Sequence, residues 1–126
     1  MTKDELKYRT KKFALDIMRL VEELPITKAG NAIGNQLIRS GTSVAANYRS
    51  ACRARSNADF ISKVNVVEEE SDETLFWLEL IDETNLIKDR MLLKALLKEA
   101  DELTAIFTAS GKTAKNNPKS PIRNPK

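Results

Sequence analysis

The sequence predicts an all-α protein, an up-down-up-down antiparallel four-helix bundle. Three observations predict it. Apolar residues recur at alternating steps of four and three along four separate stretches, the period of an amphipathic helix with one buried stripe. The breaks between these stretches are short, and short connections make antiparallel neighbours. Nothing alternates with period two over a useful length, so no sheet is expected.

The first stripe is Leu6, Thr10, Phe13, Ile17, Leu20 and Leu24, widened by Ala14 and Val21. Pro25 is expected to end it, because proline pushes the preceding residue out of helical geometry. Thr27 is the N-cap expected for the second helix. Its stripe is Ile33, Leu37, Gly41, Val44, Tyr48 and Cys52, with Gly34 and Ala45 beside it. An interior glycine costs about 1 kcal/mol against alanine in a helix. Two on the packing side point to a neighbouring helix that comes close; the alternative is a kink at Gly41. The third helix starts near Asn57 or Ala58 and carries Phe60, Val64, Val67, Ser71, Thr74, Leu78 and Ile81 inward. The hydroxyls of Ser71 and Thr74 can bond back to a carbonyl one turn earlier, so they fit an apolar seam. Asn85, in "ETNLIKD", is the expected stop. The fourth helix shows Leu93, Leu96, Ala100, Leu103 and Phe107, flanked by Leu92, Leu97 and Ile106. Gly111 is read as its C-terminal glycine. Residues 1–110 then form the bundle. Residues 111–126, "GKTAKNNPKSPIRNPK", hold too little apolar surface to offset their ordering entropy and are expected to be a disordered basic tail.

A length of 126 residues fits one domain with a real core. No run of about 18 apolar residues exists, so no membrane span is expected. The opening "MTKDELKYRTKKF" has no apolar signal-peptide core. The single Cys52 has no disulfide partner in the chain, which fits a reducing, cytoplasmic setting. Charge is segmental. Residues 1–63 carry 12 Lys and Arg against 6 Asp and Glu; residues 64–110 carry 4 against 12; residues 111–126 carry 5 against none. The net charge of +3 therefore comes from the tail, and the folded body is slightly acidic.

Two helix faces are left outside the predicted core. On the third helix Val66, Glu69, Glu73, Phe76 and Leu80 point outward, with Trp77 at the shoulder. On the second, Arg39, Ser43, Ser50 and Arg53 do so, with Asn47 and Arg49 at the shoulders. Clustered exposed apolar groups beside charges mark interfaces. The two faces complement each other, cations against Glu69, Glu70 and Glu73. Two different complementary patches make a head-to-tail contact, which closes into a ring when the rotation allows. The expected interface is Arg39, Ser43, Asn47, Arg49, Glu69, Glu73, Phe76, Trp77 and Leu80. The competing reading pairs Arg39 or Arg49 with the glutamates inside one subunit, and leaves Phe76 and Leu80 as ordinary exposed residues.

The segments "QLIRSGTSVAANYRSACRARS" and "DFISKVNVVEEESDETLFWLELI" resemble the four-helix-bundle proteins encoded by intervening sequences within bacterial 23S rRNA genes. The residues that carry the resemblance are Gln36, Arg39, Ser40, Ser43, Val44, Asn47, Asp59, Phe60, Lys63, Glu69, Glu70, Asp72, Glu73, Trp77 and Leu78. Where many members have an Ile-Ala-Glu-Gly-like segment, Tyr48, Arg49, Ser50 and Ala51 stand here. The resemblance implies a bundle that assembles as a ring of five. It also links the chain to the accessory proteins of diversity-generating retroelements, pentameric bundles that engage nucleic acid and a reverse transcriptase.

No catalytic constellation is found, and no cofactor or metal is expected. The absence of histidine removes the usual general base and the usual zinc ligand. A di-iron bundle wants Glu-x-x-His motifs, which cannot exist here. The run Glu68–Glu70 with Asp72 and Glu73 reads as a solvated acidic face, and Cys52 as an inert core thiol. For nucleic acid, Lys112, Lys115, Lys119, Arg123 and Lys126 offer a flexible phosphate-binding arm, the alternative being a solubilising tail. Arg53 and Arg55 join a second patch with Arg39 and Arg49, provided the subunit interface does not use them. The function expected is a non-enzymatic, homo-oligomeric scaffold for RNA or DNA, with a protein such as a reverse transcriptase as a further partner. The alternative is an assembly or accessory factor that binds protein alone.

Overall fold

A computed structural model describes residues 1–116. These residues are all-α, with helices α1 (Lys3–Val21), α2 (Lys28–Ala51), α3 (Asn57–Thr84) and α4 (Met91–Asn116) and no strand among them. Each helix packs on the next in sequence, and α4 closes back on α1.

The helices begin where side chains can satisfy their unpaired backbone N–H groups. The Thr2 hydroxyl accepts from the Glu5 N–H at 3.0 Å, while the Glu5 carboxylate accepts from the Thr2 N–H at 2.7 Å, a reciprocal cap. Thr27 caps α2 as expected, accepting from the Gly30 N–H at 3.1 Å. Ser56 caps α3 through the Asp59 N–H at 3.0 Å. Asn85 ends α3 in the left-handed region, φ 55°, a geometry asparagine tolerates better than most residues.

The core is built from the expected seams, except that Phe60 of α3 is half-buried at its edge. Phe13, Ile17 and Leu20 of α1, Leu37 and Val44 of α2, Val64, Val67, Leu78 and Ile81 of α3, and Leu93, Leu103 and Phe107 of α4 are fully buried. Burial of each such side chain is worth about 1.5–3 kcal/mol. Tyr48 and Phe107 pack ring on ring with centroids 5.2 Å apart. The seam hydroxyls bond back as predicted: Ser71 donates to the Val67 carbonyl at 2.8 Å and Thr74 to the Glu70 carbonyl at 2.7 Å. Thr74 also meets Ser40 of α2 at 2.8 Å, so one buried polar contact fixes the register of α2 on α3. On the other side, Arg9 clamps α1 to α4. Its guanidinium donates to both oxygens of Glu99, at 2.7 and 2.8 Å, and to Glu102 at 2.7 Å.

The glycines of α2 answer the choice between kink and close packing. A Cβ on Gly41 would stand 2.9 Å from two carbons of Ile17, and one on Gly34 would stand 3.2 Å from Val21. Gly30 is tighter still, with the Pro25 carbonyl oxygen 2.0 Å from its would-be Cβ. α1 therefore lies directly on the glycine side of α2.

Three expectations need correction. α1 stops at Val21, earlier than Pro25 requires. Glu23 and Leu24 donate to the carbonyls of Leu20 and Val21, a tightened last turn that leaves Leu24 half-buried near Gly34. Ile33 is half-buried, while Ser40 and Ala51 take inward positions on α2. Gly111 does not end α4. The helix runs on to Asn116, and Gly111 and Ala114 continue its buried seam, with Val64 and Asn65 of α3 against Gly111. The glycine is there for close approach, so the bundle extends past residue 110; residues 117–126 of the expected tail lie outside the described residues.

Two glycine substitutions are expected to act in opposite directions. Gly30→Ala should lower the thermal midpoint, with an overpacking cost of about 1–3 kcal/mol, because the obstructing atom is backbone. Gly111→Ala meets its nearest atom at 3.4 Å, an ordinary contact, so the gain in helix propensity of up to about 1 kcal/mol should prevail. Thermal unfolding followed by circular dichroism checks both, and a destabilised Gly111→Ala would contradict the continuous α4.

Candidate functional site

The outward residues of α2 and α3 meet inside one subunit. Arg39 donates to Glu70 at 3.2 and 3.3 Å and is paired with Glu73. Ser43 donates to Glu70 at 3.2 Å, and the Asn47 amide donates to the Ser43 hydroxyl at 2.7 Å and its carbonyl at 2.9 Å. The Trp77 indole N–H donates to Glu73 at 3.0 Å. This ladder is the competing intrachain arrangement for Arg39, so Arg39, Ser43 and Asn47 have partners without a second subunit. The Trp77 indole N–H, and then Arg39, hold the Glu73 carboxyl below its ordinary value of 4.5. Arg49 takes no part in the ladder; it borders a groove on the α1 side.

Beyond the ladder the face turns apolar. Phe76 is 49% exposed and stands edge-on to Trp77, with ring centroids 5.0 Å apart. Trp77 and Leu80 are half-buried, and Glu69 is exposed. The outward assignment of Phe76 holds, while Trp77 and Leu80 keep part of their surface in the fold.

The expected phosphate contacts fall into three groups. Arg53 and Arg55 are exposed in the short link between α2 and α3. Lys112 and Lys115 are exposed on the last turns of α4. A hydrogen bond from the Asn57 amide to the Ala114 carbonyl, 3.1 Å, ties the start of α3 to the end of α4 and so brings these two groups to one end of the bundle. Lys115 also borders a depression lined by Glu68, Glu69 and Asp72, which lowers its value as an anion contact. Lys119, Arg123 and Lys126 lie outside the described residues.

Cys52 caps α2 and is buried, and burial pushes its thiol up, away from the reactive thiolate. Tyr48 is buried too, its hydroxyl pushed up by the same cause. Among the described residues no three Cys, Asp or Glu groups gather as they would around a metal ion, and no helix is long and apolar enough to cross a membrane.

Sequence reasoning missed one surface. Lys7, Tyr8 and Lys11 of α1 face Thr42, Ala45, Ala46 and Arg49 of α2 across an open groove of about 560 Å³. The signal was present as "KYRTK" beside "TSVAA", cations and an aromatic opposite small residues. It becomes visible only once the glycine side of α2 is known to carry α1.

Residues 3–109 match the family described as 23S rRNA-intervening sequence protein. Among solved structures, a protein of unknown function from the S23 ribosomal protein family of Bacteroides thetaiotaomicron VPI-5482 is 33% identical. It superposes with a TM-score of 0.78, over 89% of this chain and 99% of that one. No curated protein matches.

The ladder carries a pH signature. The folded Glu73 carboxyl titrates below its unfolded value, so its contribution is complete above about pH 4.5 and is lost as pH falls through the lower folded value. Urea unfolding compared between about pH 7 and about pH 3 should show a smaller loss of stability for Glu73→Gln than for the unsubstituted chain. Equal losses would mean that Glu73 does not sense its neighbours.

Proposed function

We propose, from the premise that the chain belongs to the 23S rRNA-intervening sequence protein family, that it is a non-enzymatic, homo-oligomeric scaffold holding RNA or DNA by phosphate contacts. The observation that carries this reading is the gathering of Arg53, Arg55 and Lys112 at one end of the bundle, each exposed and without an ion pair among the described residues. Cations in this state are available to phosphates, which supply most non-specific affinity for nucleic acid. Lys119, Arg123 and Lys126 follow α4 in sequence and would add to the same field.

The oligomer is proposed as a ring of five with helices in up-down-up-down order. Supporting the order, Gly41 of α2 sits over Ile17 while Gly34 sits over Val21. Supporting the assembly, Phe76, Trp77 and Leu80 leave an apolar patch uncovered beside Glu69. With Arg39 engaged in its own subunit, this contact relies on apolar burial more than on charge. In a ring, the basic ends act together, and linked weak contacts gain by effective concentration. The lone buried thiol fits work in a reducing cytoplasm. The same apolar patch favours a second reading, an assembly or accessory factor that docks a protein and touches no nucleic acid.

The logarithm of the binding constant for a structured RNA should fall linearly with the logarithm of salt concentration, and Arg53→Glu combined with Lys112→Glu should flatten that slope. Absence of binding at low salt would leave the protein-docking reading in its place. Independently, Phe76→Arg with Leu80→Arg should give a smaller, still helical species in light scattering, whereas an unchanged mass would show that the subunit contact lies on another face.

A further inference from the structure

We infer that the groove between α1 and α2 is a binding site for unpaired nucleotides, in which Lys7, Lys11 and Arg49 hold phosphates and Tyr8 stacks on a base. The inference rests on the reading of the chain as a nucleic-acid scaffold and goes further, to a strand type and a second site.

The groove exists because of side-chain size. α1 approaches α2 closely along Gly34 and Gly41. On the flank of that contact α2 presents Thr42, Ala45 and Ala46, which are too short to fill the space beside Lys7 and Lys11. The Thr42 hydroxyl is turned back to the Ile38 carbonyl at 2.6 Å, so the floor is small and nearly apolar.

The charge is one-sided. Of the seven lining residues, Lys7, Lys11 and Arg49 are cations and none is a carboxylate. None of the three has an ion pair within the chain among the described residues, unlike Arg9, Lys12 and Arg19 on the same helix. The adjoining depression, lined by Met1, Asp4, Glu5, Tyr8 and Arg9, shows the contrast. It contains two carboxylates, and its arginine is committed to Glu99 and Glu102. Of these two neighbouring hollows, the α1–α2 groove is the one that offers an uncompensated positive field to an anion.

Tyr8 supplies the chemistry that phosphate alone does not explain. It is 69% exposed, one residue after Lys7, and borders the groove. Lys7 and Lys11 stand one turn apart, about 6 Å along the axis, and Tyr8 flanks that pair at the rim of the groove. A flat aromatic beside two cations, over a floor that leaves room for a ring, matches the stacking platform and charged track of single-strand binding sites. Bases within a duplex have both faces covered and cannot stack on Tyr8, so the site selects unpaired nucleotides.

The test uses the full chain, a fluorescein-labelled uridine oligonucleotide of about 20 residues, and a duplex of the same length, followed by anisotropy. Tyr8→Ala should weaken the single strand about tenfold and leave the duplex unchanged, while Tyr8→Phe should bind like the unsubstituted chain. Tyr8 lies on the surface, and unchanged circular dichroism and light scattering would show that the variants keep fold and mass. If Tyr8→Ala binds the single strand normally while Arg53→Glu weakens it, the groove assignment is overturned and the scaffold reading stands. If the unsubstituted chain binds neither probe at low salt, both go. If Tyr8→Ala instead changes the particle mass, the groove receives a second copy of the chain, and the nucleotide assignment is overturned.

Discussion

The closeness of α1 to α2 is the constraint from which the remaining arrangement follows. Two glycines of α2, Gly34 and Gly41, remove the atoms that would keep the helices apart. With α1 on that side, the opposite side of α2 is free to receive α3, and the Ser40–Thr74 hydroxyl contact sets how the two slide against each other. α4 then has one place left, against α3 and α1, where Arg9 reaches Glu99 and Glu102. The dependence is physical. Helix propensity alone disfavours glycine at these positions, so the packing gained must exceed that cost at each.

The same constraint distributes charge. Because α1 and α3 lie on different sides of α2, the arginines of α2 divide between them. Arg39 is drawn to the carboxylates of α3, while Arg49 falls beside the lysines of α1. One helix thus carries a neutralised polar face and an uncompensated basic one. A slightly acidic body can then still present local positive fields, since attraction of an anion depends on nearby charge more than on the total.

Much of this was legible in the sequence, for identifiable reasons. The seam of α3 could be read through Ser71 and Thr74 because hydroxyls that bond back to the helix do not break an apolar stripe. Gly41 and Gly34 could be read as contact residues, with a kink at Gly41 as the alternative, because one sat on the stripe and the other beside it. Gly111 was misread because a glycine after the last large apolar residue of a helix looks like a terminator; the smaller Ala114, continuing the seam one turn later, was the clue. Arg39 was assigned to the outside correctly, but periodicity gives the face of a helix and not the neighbour across it. Its partners Glu70 and Glu73 therefore became definite only with the packing of α2 on α3. The groove was hidden for the same reason, since its two walls come from segments more than thirty residues apart.

The placement of Cys52 limits how any assembly of this chain persists. The thiol is enclosed at the end of α2 and kept in its unreactive form, so folded copies have no covalent latch to one another. Copies joined by surface contact alone obey mass action. Were the proposed ring to form, dilution would dissolve it and accumulation restore it, and the amount of protein would then control its quaternary state.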